Sequence, residues 1–190
     1  ALRGHLQRRL HDEGLDLSLD RILLTGSGTQ AIDLILRMLV RPGDTILIDD
    51  PCYFNFRALL RAHPVEVVSV PFTPVGPDPA RFDAILAEHR PRLYLTNSAL
   101  HNPTGATLAP RLAHRLLGLA DIFADFESEP SPRYAALDGL ERVIRIGSFS
   151  KTLSASLRCG YIAARADWIE HLVDLQVATS FGGPSPVAAE

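Results

Sequence analysis

Strand-length apolar runs alternate with helix-length amphipathic segments along nearly the whole chain, and few architectures accept that rhythm. "ILLT" at 22–25 precedes a helical pattern over 29–40, in which Ala31, Ile32, Ile35, Leu36 and Leu39 share one face. "RPGD" at 41–44 ends it. A strand at 45–50 then leads to a helix at 53–63, a strand at 65–72 to a helix at 80–89, and a strand at 92–97 to a helix at 109–120. Strands at 142–149 and 159–164, a helix at 167–178 and an opening helix at 2–13 complete the pattern. "PFTPVGPDP" at 71–79 carries four prolines and reads as a surface loop. Several strands are near-continuous apolar runs, as in a sheet covered on both faces. The expected fold is therefore a three-layer α/β/α domain with a mostly parallel, mixed sheet.

Bulk properties narrow the function classes. The 190 residues suffice for one domain with a sizeable core. A net charge of −3 gives no basic surface for nucleic acid within this stretch. No apolar run reaches the length of a membrane span, so no membrane role is expected. Cys52 and Cys159 have neither metal-ligand spacing nor a disulfide framework, which favours a reducing, cytoplasmic setting and no metal site.

Ligands of such sheets sit beyond the carboxyl ends of the strands. Four loops lie there: 26–29, 50–53, 97–105 and 147–151. "TGSGTQ" opens a helix with two glycines and the hydroxyls of Ser27 and Thr29, which suits a phosphate. Taken alone it equally serves as a capped turn. Tyr53 in "DPCY" could stack on a flat ring or pack in the core. Asn102 in "HNPTG" could donate to a phenolate or carbonyl oxygen, or simply shape a turn. "SFSKTLSASLRCGY" at 148–161 gathers Ser148, Ser150, Lys151 and Arg158. Lys151 is the single lysine beside 18 arginines. Arginine stays protonated and forms no imine with an aldehyde, whereas lysine does. A phosphate cradle, a stacking ring, a hydrogen-bond donor and an imine-forming amine are together what pyridoxal phosphate requires.

With "SGTQA", "DPCY", "HNPTG" and "SFSKTLSASLRCGY" in that order, the chain resembles the class I/II aminotransferases, the fold-type I pyridoxal-phosphate enzymes. The resemblance implies that Lys151 forms the internal aldimine and shuttles a proton. It implies that Ser27, Gly28 and Thr29 form one half of the phosphate cup, and that Ser148 and Arg158 form the other. Tyr53 matches the aromatic that stacks on the pyridine ring, and Asn102 the donor to its phenolic oxygen. His101 is expected behind Asn102 rather than in the chemistry.

Two departures stand out. The family places an Asp-x-x-Tyr element on a buried strand, with the aspartate facing the ring nitrogen. Here Phe123 takes the tyrosine position and Ala120 stands three residues before it, with Asp121 one place off as the candidate acid. In addition, no apolar strand is apparent between the 109–120 helix and "DIFADFE", although a strand with its turns needs roughly ten residues. A segment missing between residues 120 and 121 is the expectation that follows.

Residues 1–190 therefore read as the cofactor-binding large domain of a longer protein. The resemblance implies a small C-terminal domain outside it, carrying the arginine that clamps the substrate carboxylate. The resemblance implies a pyridoxal-phosphate-dependent aminotransferase, acting as a homodimer on an amino acid or related amine. The spacing of Ser150 and Arg158 also resembles the GntR/MocR-type regulators. There a helix-turn-helix module precedes an aminotransferase-like effector domain, so DNA would be bound only by a domain absent from this chain.

Overall fold

A computed structural model of the chain describes residues 2–119, 123–127, 134–149 and 158–180. The opening helix α1 (Leu2–Asp12) buries Leu6 and Leu10. Strand β1 (Ile22–Thr25) then feeds helix α2 (Gly28–Leu39). Strand β2 (Thr45–Asp50) leads to helix α3 (Phe54–Leu60), and strand β3 (Glu66–Thr73) turns back at once into the two-residue strand β4 (Gly76–Pro77). Helix α4 (Pro79–His89) starts under two side-chain caps, Asp78 Oδ1 accepting from the N–H groups of Ala80 at 3.0 Å and Arg81 at 2.9 Å. Strand β5 (Leu93–Thr96), helix α5 (Pro110–Leu117), strand β6 (Phe123–Glu127) and helix α6 (Tyr134–Asp138) follow. Strands β7 (Val143–Ser148) and β8 (Gly160–Ala163) and helix α7 (Ala166–Ser180) complete the described fold.

The sheet order is β1-β8-β7-β6-β5-β2-β3-β4. Its centre, from β3 through β2, β5 and β6 to β7, is parallel. Strand β8 reverses against β7, and β1 runs antiparallel to β8. Pairing of Phe72 with Pro77 and Thr73 with Gly76 makes the proline-rich stretch a small hairpin rather than the plain loop expected of it. Backbone geometry explains the difference. Gly76 takes φ 130°, and Thr73 Oγ1 donates to its carbonyl at 2.7 Å.

A larger correction concerns β6. Its five residues pair in parallel with β5 on one side and β7 on the other, so the described chain does hold the central strand that the α/β rhythm demands. The run "FADFE" conceals it because an aspartate and a glutamate interrupt the apolar pattern.

Alternation along the strands divides the core in two. Ile46, Ile48, Leu93, Leu95, Ala124, Ile144 and Ile162 face α2, α3 and α7. Leu47, Tyr94, Val143 and Ala163 face α1, α4, α5 and α6. Each fully buried aliphatic side chain contributes about 1.5–3 kcal/mol, so the two apolar layers account for most of the drive to fold. Among the described residues no helix is long and apolar enough to cross a membrane.

Candidate functional site

The turn between β1 and α2 is tightly braced. Thr25 Oγ1 donates to the Ser27 carbonyl at 3.0 Å, and the Gly26 N–H donates to Gln30 Oε1 at 2.6 Å. Ser27 caps the helix, its Oγ accepting from the Gln30 N–H at 3.0 Å, while the Ala31 N–H closes on the Ser27 carbonyl at 3.0 Å. These bonds leave the Gly28 and Thr29 N–H groups, at the positive end of a 12-residue helix, without an acceptor among the described residues.

Strand β8 presses on this turn from the side. A Cβ at Gly160 would lie 2.7 Å from the Ser27 carbonyl carbon, 2.8 Å from the Gly28 nitrogen and 2.9 Å from Thr25 Oγ1. Only a residue without a side chain lets the two backbones approach so closely. Gly160 is also the register partner of Ser148. The sheet thereby joins "SGT" and the flanks of "SFSKTLSASLRCG", which are more than 100 residues apart in sequence. Phe149 N–H donates to the Cys159 carbonyl at 2.9 Å, and Arg158 beside it is exposed. Residues 150–157, Lys151 among them, lie outside the described residues, as does Asp121.

On the other side of the turn, Asn55 Nδ2 donates to Thr29 Oγ1 at 3.0 Å, tying α3 to the start of α2. Tyr53 stands at the N-cap of α3, its ring edge-on to Phe54 and Phe56 at centroid separations of 4.9 and 5.6 Å.

Asn102 is placed from β5. Its N–H donates to Oδ1 of buried Asn97 at 2.8 Å, and the loop is closed by His101 N–H to the Ala106 carbonyl at 2.8 Å and Gly105 N–H to the His101 carbonyl at 2.6 Å. Phe123 opens β6, opposite Tyr94 and Val143.

A row of charged residues crosses the sheet beneath these loops, and nothing in the sequence motifs announces it. Asp49, Asp125 and Arg145 are buried on the α1/α5 face, with Asp125 in register with Thr96 on one side and Arg145 on the other. Asp125 accepts from the Ser98 N–H at 3.0 Å and from the Ser98 hydroxyl. Burial pushes its carboxyl up to about 6, against the pull of Ser98 and of the Arg145 guanidinium. Arg145 in turn pairs with Glu13 just past α1. On the opposite face of β6, toward α2, stands Ala124. The one available signal was a charged residue inside an otherwise apolar strand, as in "ILIDD" and "VIRIG".

Eight strands in this order, with a capped helix N-terminus against a glycine of the reversing strand, define the large domain of the fold-type I pyridoxal-phosphate-dependent transferases. The chain belongs to the aminotransferase class I and II family, whose model matches residues 1–189. Among solved structures it is similar to the multiple substrate aminotransferase of Thermococcus profundus, at TM-score 0.87 and 26% identity over 96% of this chain and 50% of that one. LysN of Thermus thermophilus, an alpha-aminoadipate aminotransferase solved with N-(5'-phosphopyridoxyl)-L-leucine, shares the fold at TM-score 0.86 and 24% identity, over 96% of this chain and 50% of that one. Among curated proteins the chain is similar to the HTH-type transcriptional regulator YdfD of Bacillus subtilis, at 29% identity over 204 residues, covering all of this chain and 42% of that protein. NorG of Staphylococcus aureus, another HTH-type transcriptional regulator, is 24% identical over 95% of this chain and 43% of its own length. The chain thus spans less than half the length of these curated relatives.

Proposed function

We propose that this chain is the pyridoxal-phosphate-binding domain of an aminotransferase-like effector unit in a GntR/MocR-type regulator. The observation that carries cofactor binding is the α2 cradle: two N–H groups with no acceptor among the described residues, a capping serine and a strand glycine that keeps the pocket wall at backbone distance. That donor set fits a phosphate. Gly28, Thr29 and Ser27 would hold the phosphate, with Ser148 and Arg158 from the β7–β8 side. Tyr53 would cover the ring and Asn102 would meet its phenolic oxygen. Lys151 would attach the aldehyde and, once freed from it, would accept at Nζ the proton from the amino compound's α-carbon. The pyridine ring, when bound, withdraws electrons from the amino compound's α-carbon. Asp121 remains the acid proposed for the ring nitrogen, because buried Asp125 projects away from α2 and is held by Ser98.

The regulator reading is supported by the helix-turn-helix relatives, of which this chain matches 42–43%. DNA contact then belongs to a part of the protein outside residues 1–190, and the small domain with the carboxylate-binding arginine is a further part. The 204-residue match to a relative through a 190-residue chain means that the relative has residues where this chain has none. A second reading, turnover by a free-standing aminotransferase dimer, is favoured by the likeness to the Thermococcus enzyme.

Borohydride reduction of the full protein after incubation with pyridoxal phosphate, followed by peptide mass analysis, tests the shared core. Label on Lys151, lost in Lys151→Ala, is expected. An unlabelled wild type sinks the proposal. Amino-acid-dependent keto-acid formation separates turnover from sensing, and a DNA-binding assay on the full protein tests the regulator reading.

A further inference from the structure

His101 precedes Asn102 and is fully enclosed. Its ring stacks on Phe72 at a centroid distance of 3.7 Å and an interplanar angle of 11°. Thr104 Oγ1 accepts from the Ala106 N–H at 3.2 Å and shares a hydrogen bond with His101 Nδ1, 2.9 Å away. The other ring nitrogen, Nε2, has no hydrogen-bond partner among the described residues but stands 3.4 Å from Asp49 Oδ2. That carboxylate is buried at the end of β2 and is itself fixed by the Tyr94 and Thr96 hydroxyls. Strand β2 therefore grips the "HNPTG" loop from below, at the residue next to Asn102.

We propose that Asp49 is a positioning residue: acting through His101, it sets where Asn102 presents its side chain to the cofactor ring. The inference rests on the cofactor reading above. The Asp49 carboxylate faces the imidazole edge, and both neighbouring peptide groups of His101 are locked by backbone bonds to Ala106 and Gly105. A shift of the ring is thereby passed directly to residue 102. The "TILIDDPCY" stretch would then serve the site twice, with Tyr53 at the ring face and Asp49 behind Asn102.

The test is the absorption maximum and visible circular dichroism of the full protein loaded with pyridoxal phosphate. Asp49→Asn is expected to move both in the same direction as Asn102→Ala, with cofactor affinity about tenfold weaker. Ile46→Val, on the opposite, α2-facing side of the same strand, is expected to lower the melting temperature but keep the wild-type spectrum. His101→Phe preserves the stack on Phe72 and removes both nitrogens, so it should reproduce the Asp49→Asn spectrum. If Asp49→Asn does not fold, the His101→Phe spectrum decides. A wild-type spectrum in either folded variant overturns the proposal. A wild-type protein with no cofactor band overturns the cofactor reading instead, so the two failures are told apart.

Discussion

Gly160 on β8 lies against the Ser27–Gly28 peptide so closely that any side chain would enter the turn, its Cβ 2.7 Å from the Ser27 carbonyl carbon. All three nearest atoms belong to the braced β1–α2 turn, and two of them are backbone. Gly160→Ala is therefore expected to push that turn away, destabilising the fold by about 1–3 kcal/mol and weakening pyridoxal phosphate binding more than a surface glycine change would. Thermal unfolding with and without the cofactor measures both effects. Gly4→Ala, at an open position, is the control and should leave binding unchanged.

Asp125 makes acid stability pH-dependent in a defined direction. Its folded value of about 6 lies above the 3.8 of an ordinary aspartate, so the native state holds a proton that the unfolded chain has released. The contribution is present below about pH 4 and is lost as pH rises through 6. Relative to Asp125→Asn, which does not titrate, the wild type should lose about 3 kcal/mol between pH 4 and 7. Urea unfolding of both proteins across that range reads the difference. A constant gap would show that Asp125 does not titrate as described.

Arg145 is 1% exposed and paired with Glu13, 11% exposed. Truncating Arg145 removes the buried guanidinium that pairs with Glu13 and acts on Asp125, while Glu13 keeps its ion pair with Arg9. Arg145→Ala is expected to destabilise the protein by about 3–5 kcal/mol. The Glu13→Ala/Arg145→Ala pair should fall short of the sum of the two single changes. Denaturant titration of the four proteins in the cycle provides the check.

Leu100 sits at φ 47°, in the left-handed region, and is 49% exposed, immediately before His101. A leucine there is strained by roughly 1–2 kcal/mol, which glycine avoids. Glycine's larger unfolded-state freedom offsets about 0.4–1 kcal/mol of that. Leu100→Gly should therefore leave stability unchanged or raise it by up to about 1.6 kcal/mol. A melting-temperature comparison settles the sign.

Much of this protein was legible before the fold was known, and the reason is that its signals are local. The apolar spacing of Ala31, Ile32, Ile35 and Leu39 specifies α2 by itself, as "ILLT" and "TILIDD" specify β1 and β2. Ser27 and Thr29 are recognisable as helix-start residues from position alone. Strand β6 was not legible, because Asp125 at the middle of its short run joins a buried polar row beside Thr96 and Arg145. Neither was the β3–β4 hairpin, because it is held by Gly76 and one threonine hydroxyl rather than by a strand-like pattern.

The sequence by itself determined the α/β class, the strand-to-helix turns such as the one before α2, and Lys151 as the single lysine. These follow from periodicity and side-chain chemistry, which each short segment carries alone. Only the tertiary structure decided that β8 reverses, that its Gly160 meets Ser27, and that Asp49, Thr96, Asp125 and Arg145 line up across four strands. Strand order and register arise from pairings between segments far apart in the chain, such as Ile22 with Ala163. No local pattern encodes which of two faces a buried charge will share, or with whom.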